Sequence, residues 1–366
     1  MASIVVSGDV LRRPCGSNVA THLQYLIGLR KLGHQVVYLE DRGAEDPRPA
    51  AQAAPAVPRA GLVLMRDLLR RCRVDVEVVW VDPDAGLVGG MVWPQLRRRL
   101  SKADLLIDLG GHCWIEERSL ARRRVMIDVD SAAGPLDPGR NQLEHDVYFS
   151  ARRDPATLPE ADWLPTVPPV VPRLWYGPPT RAELPLRVRL DAPDAPTGAG
   201  EGGSRGIPAG ELPALAGRIS PRPWTALPAG DAQRAAGLID AGWSVRGEEE
   251  LDASLSSFRA GMLGSQALLA ASGAGAWFTS LDACHLAAAR PVIVAGGELE
   301  SWLPTGSGLI AADGLDDAVE AVERIQPELA RHAAAARAVA VRVFDFRVVL
   351  PGLLEQALPR RLQVVA

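Results

Sequence analysis

Two side chains in this sequence could take a proton from a hydroxyl group at neutral pH. His22 lies one helical turn after Asn18 in the first predicted helix, and an ordinary histidine titrates near neutrality. Asp130, at the end of a predicted strand, could orient His22 or serve as the base itself. The simpler alternatives are that Asn18 or Ser17 only caps the helix, that His22 packs with Tyr25, and that Asp130 is solvated.

Two glycine-rich stretches could hold a phosphate group. The first, Thr197–Gly206, follows a predicted strand and contains one cation, Arg205. The second, Gly273–Gly275, leads towards the predicted helix that contains Cys284. Backbone N–H groups at a helix N-terminus bind phosphate without a lysine, and glycine allows close approach. Plain turns are the simpler explanation of both stretches.

Several other sites are disfavoured by spacing. His112 and Cys113 are adjacent, but no further His or Cys is close enough in sequence to complete a zinc site. There is no P-loop, and no dinucleotide-binding fingerprint follows the first strand. The basic runs at 97–99 and 122–124 are most simply solvated faces or a contact in a homodimer.

Length, charge and cysteine content limit the classes of protein to which this chain can belong. The chain has 366 residues, of which 47% are hydrophobic, so two domains are expected. A net charge of -4 argues against nucleic acid as a partner. The four cysteines show no C-x-x-C spacing and indicate reduced thiols, and no signal or membrane-spanning run is evident. We therefore expect a soluble, cytoplasmic protein that does not bind membranes.

The first half of the sequence predicts a parallel sheet. Ser3–Ser7 and Val36–Leu39 are strands that flank a helix over Asn18–Leu32, which ends at Gly33. Such a β-α-β unit places its site where the strands end and the Asp9–Asn18 loop meets a helix N-terminus. The further strands are Val76–Val81, Asp104–Asp108, Val125–Asp128 and His145–Phe149, and the further helices are Ala60–Cys72 and Val92–Leu100.

The second half predicts the same architecture again. The segment Trp163–Trp175 contains four prolines and is expected to be a stiff connector rather than a helix or central strand. The strands after it are Leu186–Leu190, Pro223–Leu227, Trp243–Val245, Pro291–Val294 and Gly308–Ala311, and the helices are Ala232–Ala241, Leu281–Ala289, Leu315–Ile325, Leu329–Val343 and Val348–Leu358. The predicted divisions are 1–162, a connector at 163–180, 181–345, and a last helix in 346–366 that packs back towards the first domain.

Particular segments narrow the fold further. Leu23–Asp41 resembles the N-terminal segment of bacterial GT-B glycosyltransferases, and Cys284–Val292 and Leu303–Leu309 are similar to their donor domain. The resemblance implies an α/β GT-B fold of two facing Rossmann-like doubly wound domains with a cleft between them. It also implies metal-independent transfer of a sugar from a UDP- or TDP-linked donor to a small, natural-product-like acceptor, with the nucleotide sugar as co-substrate and no resident cofactor.

The resemblance also assigns roles to individual residues. It places the catalytic base at the position of Asn18, and the nearest candidates to take over that role are His22, one helical turn further on, and Asp130. The residues that it assigns to the donor are Gly16, Ser17, Thr197, Gly198, Arg205, Ser265, Gln266, Gly273, Gly275, Ser280, Gly296, Gly297 and Glu298.

Several positions depart from the pattern of these enzymes. Asn18 stands where related enzymes have a histidine, Ala267 near a lysine position, and Ser280-Leu281 at an Asp-Arg pair. These changes leave a second hypothesis open. The chain could be a degenerate GT-B protein that no longer transfers sugar and acts as the partner of an active enzyme.

Overall fold

A computed structural model describes residues 1–42, 58–83, 85–129, 144–151, 161–190, 207, 210–227, 231–271, 278–296 and 299–358. Within these ranges the chain divides into two compact units. The first contains the described residues up to 151 together with residues 161–169 and 346–358. The second contains the described residues between 170 and 345. No helix in the described ranges is both long and apolar enough to cross a membrane.

The strands form one sheet in each unit. Those of the first unit are β1 (Ser3–Ser7), β2 (Gln35–Asp41), β3 (Glu77–Asp82), β4 (Leu87–Gly89), β5 (Leu105–Leu109), β6 (Arg124–Asp128), β7 (Val147–Ser150) and β8 (Trp163–Pro165). Those of the second are β9 (Arg187–Leu190), β10 (Trp224–Leu227), β11 (Ser244–Gly247), β12 (Leu268–Ala271), β13 (Val292–Ala295) and β14 (Leu309–Ala312).

The helices cover these sheets. They are α1 (Gly16–Lys31), α2 (Arg59–Arg71), α3 (Trp93–Lys102), α4 (Leu215–Arg218), α5 (Ala232–Asp240), α6 (Glu248–Leu251), α7 (Leu255–Leu263), α8 (Ser280–Ala287), α9 (Leu315–Ile325), α10 (Leu329–Val339) and α11 (Phe346–Ala357). A short π-helix, Ala340–Phe344, follows α10.

Both sheets are doubly wound. The first has the order β4-β3-β2-β1-β5-β6-β7-β8, parallel except for the β3–β4 pair. The second has the order β11-β10-β9-β12-β13-β14 with parallel pairing. In each sheet the strand order reverses between two central strands, β1 and β5 or β9 and β12. These are the switch points at which doubly wound sheets bind ligands, beyond the carboxyl ends of the strands.

Apolar faces of both sheets are buried under helices. In the first unit a core cluster joins Val5, Leu39 and Leu106 of the sheet to Leu96 and Leu100 of α3. A comparable cluster in the second unit joins strands β9, β12, β13 and β14 to α5 and α9. The last helix belongs to the first unit and packs on α1, where Gly28 leaves room for the side chains of Phe346 and Leu350.

The structure adds elements that the sequence did not indicate. The largest omission is β12, which lies at the centre of the second sheet, because its Leu-Leu-Ala-Ala sequence contains no β-branched or aromatic residue. Helix α7 and the short strand β4 were also missed. Part of the predicted connector, Trp163–Pro165, is instead the edge strand β8, a position in which proline is tolerated.

Candidate functional site

The candidate site of the first unit lies at the switch point between β1 and β5. The loop Gly8–Cys15 leaves β1 and enters α1, and Gly110–His112 leaves β5. Gly110 and Gly111 have φ of +79° and +72°, in the left-handed region that favours glycine. The turn that they form places the ring of His112 against Gly110. The two loops therefore meet at the edge where a ligand is expected.

Asp9 is the centre of this site. Its Oδ1 accepts a hydrogen bond of 2.9 Å from the side-chain amide of Asn18, and its Oδ2 pairs with Arg13. The same Oδ2 lies 3.5 Å from Nε2 of His112. Burial acts to raise the pKa of Asp9, but the charges of His112, His22 and Arg13 and the hydrogen bond from Asn18 lower it to about 2. Asp9 is thus a buried, ionised carboxylate at neutral pH.

His22 is packed inside the first unit. It is 1% exposed, its Nδ1 donates to the carbonyl oxygen of Asn18 at 2.9 Å, and its ring meets that of Tyr38 edge-on at 6.1 Å. Burial lowers its pKa, with a smaller opposing effect from Asp9. The imidazole is therefore neutral, and it packs against Tyr38 and Gly8.

His112 is held in place through its backbone. Its N–H donates to Oδ1 of Asp108 at 2.8 Å, and the N–H of Cys113 donates to Oδ2 at 3.2 Å. His145 Nε2 lies 3.3 Å from the same Oδ2. Burial acts to raise the pKa of Asp108, but the hydrogen bond and charge of His145 and the charge of His112 lower it. A second buried acid, Asp41, accepts the N–H groups of the two residues after Cys113.

The structure describes some of the residues that the sequence predicted for this site. Asn18 and His22 lie beside Asp9, and Gly16 and Ser17 form the start of α1 next to them. Asp130 lies outside the described residues. Reasoning from sequence missed Asp9 and set His112 aside, although each lies two or three residues after the end of a strand that borders the switch point. That position was the available signal.

The second unit has a cationic contact at the corresponding edge. Arg189, in the last half of β9, donates through Nη1 to Oγ1 of Thr279 and to the carboxylate of Asp282, each at 2.6 Å. Thr279 caps α8, and the N–H of Thr279 in turn donates to the carboxylate of Asp282 at 2.7 Å, which completes a capping box. Arg189 therefore lies at the N-terminus of a helix, where backbone N–H groups favour an anion.

The predicted donor residues of this unit fall at two edges of its sheet. Ser280 is the first residue of α8, and Gly296 follows β13 with φ of +91°. Ser265 and Gln266 precede β12, so they lie at the opposite edge, where the strand begins. The remaining predicted donor residues, Thr197, Gly198, Arg205, Gly273, Gly275, Gly297 and Glu298, lie outside the described residues.

The described part of the chain contains no candidate metal site. No group of three or more His, Cys, Asp or Glu side chains there has a geometry that could hold an ion. The four histidines and acids nearest the switch point, Asp9, Asp108, His112 and His145, are instead paired with one another and with backbone amides.

Comparison with known proteins identifies the fold. No protein-family model and no curated protein matches the chain. Among solved structures, HepE of Anabaena in complex with UDP and glucose is similar, with a TM-score of 0.57 and 11% identity over 97% of this chain and 99% of that one.

Two further solved structures are similar along almost their whole length. AviGT4, a glycosyltransferase involved in avilamycin A biosynthesis, has a TM-score of 0.55 and 15% identity, covering 100% of this chain and 99% of its own. An alpha-glucosyltransferase in complex with UDP and a 13-mer DNA has a TM-score of 0.59 and 12% identity, covering 97% and 98%. The fold expected from the sequence is thus confirmed as GT-B, with two doubly wound α/β units.

Proposed function

We propose that this protein is a metal-independent glycosyltransferase that moves a sugar from a UDP- or TDP-linked donor to a small-molecule, natural-product-like acceptor. The observation that carries the proposal is the pair formed by Asp9 and His112 at the switch point of a GT-B unit. The similar structures support the donor class, since HepE and the alpha-glucosyltransferase were solved with UDP. AviGT4 acts in the biosynthesis of a natural product, which supports the acceptor class.

The first unit supplies proton transfer in this proposal. Displacement at an anomeric carbon requires a group that takes the proton of the acceptor hydroxyl. The imidazole of His112 takes that proton, and the ionised carboxylate of Asp9, 3.5 Å away, stabilises the imidazolium that results. His22 was the base expected from the sequence, and its burial favours a supporting role instead.

The second unit supplies the contact to the diphosphate. Charge develops on the departing diphosphate, and cations and helix N-termini stabilise such charge. Arg189 and the first turn of α8 bring both together. A guanidinium has five N–H donors, so Arg189 can serve Asp282 and a phosphate oxygen at the same time.

Calorimetric titration of the purified protein with UDP, TDP and GDP in turn tests the donor site. We expect a micromolar dissociation constant for UDP or TDP, and we expect Arg189→Met to weaken it by about tenfold or more. The matched control is Arg218→Met, which removes a guanidinium paired with Asp316 at the exposed surface of the same unit. It should leave the constant unchanged.

Two outcomes of this titration would overturn the proposal in part or whole. If none of the three nucleotides binds to the folded protein, the partner hypothesis becomes the better account of the chain. If UDP or TDP binds equally well to the wild type and to Arg189→Met, the donor site does not involve Arg189.

A further inference from the structure

Two side chains of β2 accept hydrogen bonds from the backbone of the loop that leaves β1. The phenolic oxygen of Tyr38 accepts the N–H of Val10 at 3.1 Å, and Oε2 of Glu40 accepts the N–H of Leu11 at 2.6 Å. Oε1 of Glu40 accepts the N–H of Arg12 at 2.8 Å. Three consecutive backbone N–H groups therefore donate to side chains of the neighbouring strand. Both of these side chains, Tyr38 and Glu40, are fully buried.

The Glu40 carboxylate is surrounded by donors. Besides the two amides, it accepts the hydroxyl of Tyr38 at 2.9 Å and Nε of Arg12 at 3.1 Å. Each of its oxygens thus accepts two hydrogen bonds. Glutamine is close to glutamate in size, but its NH₂ group would meet a backbone N–H where an oxygen is needed, and a buried N–H without an acceptor is costly.

The three hydrogen-bonded amides, those of residues 10–12, follow directly after Asp9. The carbonyl oxygen of Asp9 also accepts the N–H of Arg13 at 2.9 Å, which closes the turn that the amides of residues 10–12 span. The position of the Asp9 side chain is consequently set on one side by this hydrogen-bonded turn and on the other by the amide of Asn18. The separation of 3.5 Å between Asp9 and His112 depends on that placement.

We propose that Tyr38 and Glu40 are positioning residues, which hold the turn at residues 9–13 so that the Asp9 carboxylate stays beside the His112 imidazole. Neither residue touches His112 in this scheme, and both act through the backbone of the turn. The inference rests on the proposed function only where it treats His112 as the group that transfers the proton.

A histidine titration followed by NMR on the full-length protein tests this placement without any substrate. The chain has six histidines, and the signal of His112 is assigned by its loss in His112→Gln. Moving a carboxylate away from an imidazole lowers the pH at which the ring titrates, typically by about 1 unit. We expect that decrease for His112 in Glu40→Gln and in Tyr38→Phe.

The matched control is Asp104→Asn. Asp104 accepts the backbone N–H of Ser3 at 2.9 Å and pairs with Arg122, at the opposite edge of the same sheet from Asp9. This variant should leave the His112 titration unchanged. A shift of the same size in the control would show a general loosening of the sheet and would overturn the proposal.

Turnover of UDP-glucose supplies a second readout. In the two β2 variants we expect kcat to fall while KM for UDP-glucose stays close to the wild-type value, because the proposed diphosphate contacts, Arg189 and the first turn of α8, belong to the other unit. If Glu40→Gln does not fold, Tyr38→Phe, which removes one acceptor for Val10, decides alone.

The two proposals fail in different ways. An unchanged His112 titration in a folded variant overturns the positioning role, whether or not the protein turns over UDP-glucose. A wild-type protein that binds none of UDP, TDP and GDP overturns the proposed function, while a shifted titration would still support the positioning of Asp9.

Discussion

The imidazole of His22 lies directly against the α-carbon of Gly8, so that a β-carbon at position 8 would be 2.0 Å from Nε2 of the ring. The hydroxyl of Tyr38 would be 3.2 Å from the same β-carbon. Three elements, namely the end of β1, the second turn of α1 and β2, therefore converge on one glycine. The turn that carries Asp9 begins at this contact.

The first prediction concerns that contact. Gly8→Ala should lower the free energy of unfolding by about 1–3 kcal/mol, because the added methyl group overlaps a ring that is enclosed by the core. Gly237→Ala is the control, since a β-carbon there would meet no atom within 4 Å and the residue lies inside α5. It should be neutral or stabilise by up to about 1 kcal/mol. Urea unfolding measures both, and equal effects would contradict the close contact.

His22→Ala should destabilise the protein. If His22 were a base on an open site, its replacement would reduce turnover and leave the melting temperature nearly unchanged. The ring is 1% exposed, however, and its removal empties a packed site and leaves the carbonyl oxygen of Asn18 without this donor. We expect a loss of about 2–4 kcal/mol in the free energy of unfolding. An unchanged melting temperature would contradict the packed site and would return His22 to the candidates for the base.

His112→Gln should reduce turnover in a protein that remains folded. Glutamine keeps the backbone N–H that Asp108 accepts but cannot take a proton at neutral pH. We expect turnover of UDP-glucose to fall by about 100-fold or more. His34→Gln is the control, because the His34 ring accepts the N–H of Ala2 at the opposite edge of the sheet. Unchanged turnover in His112→Gln would remove this residue from the mechanism.

Acid should weaken the wild type more than Asp9→Asn. The pKa of Asp9 is lowered in the folded state from 3.8 to about 2, so the folded state favours the ionised form. Its contribution, about 2 kcal/mol, is therefore complete above about pH 4 and is lost as the pH falls towards 2. Unfolding free energies measured across this range should converge for the two proteins. Parallel curves would mean that Asp9 is not held by cations.

Glu40 should have the opposite pH dependence. Burial, and to a smaller extent the charge of Asp9, raise its pKa from 4.5 to about 7 against the opposing effects of Arg12, the N–H of Leu11 and the hydroxyl of Tyr38. The carboxylate that accepts all four donors is therefore the form present above about pH 7. Because the folded state favours the protonated form, the contribution of this group is complete below about pH 4.5 and is lost as the pH rises through about 7. Over that range the wild type should lose stability relative to Glu40→Gln, which does not titrate. A constant difference between the two unfolding curves would contradict the raised pKa.

The sequence was a good guide to elements with a strong local pattern. The strand Ser3–Ser7 and the helix that follows it were confirmed because β-branched runs and helical spacing express the local preference of the chain. The strand Leu268–Ala271 was missed because its residues prefer helix locally and its pairing with β9 and β13 decides its conformation.

The candidate site was harder to predict than the fold. Asp9 and His112 are about a hundred residues apart in sequence, and their pairing arises only when β1 and β5 become neighbours. No spacing rule expresses such a contact. The same holds for Arg189 and Asp282, which meet across two elements of the second unit.

The order of the units along the chain has a consequence for synthesis on the ribosome. The chain enters the second unit at Val170 and leaves it after Asp345, and these two residues form a β-bridge with each other. The second unit can therefore be complete before the first, whose α1 must wait for Phe346 and Leu350 of the last helix. The unit whose strands are synthesised first can therefore be complete only after the last helix has been made.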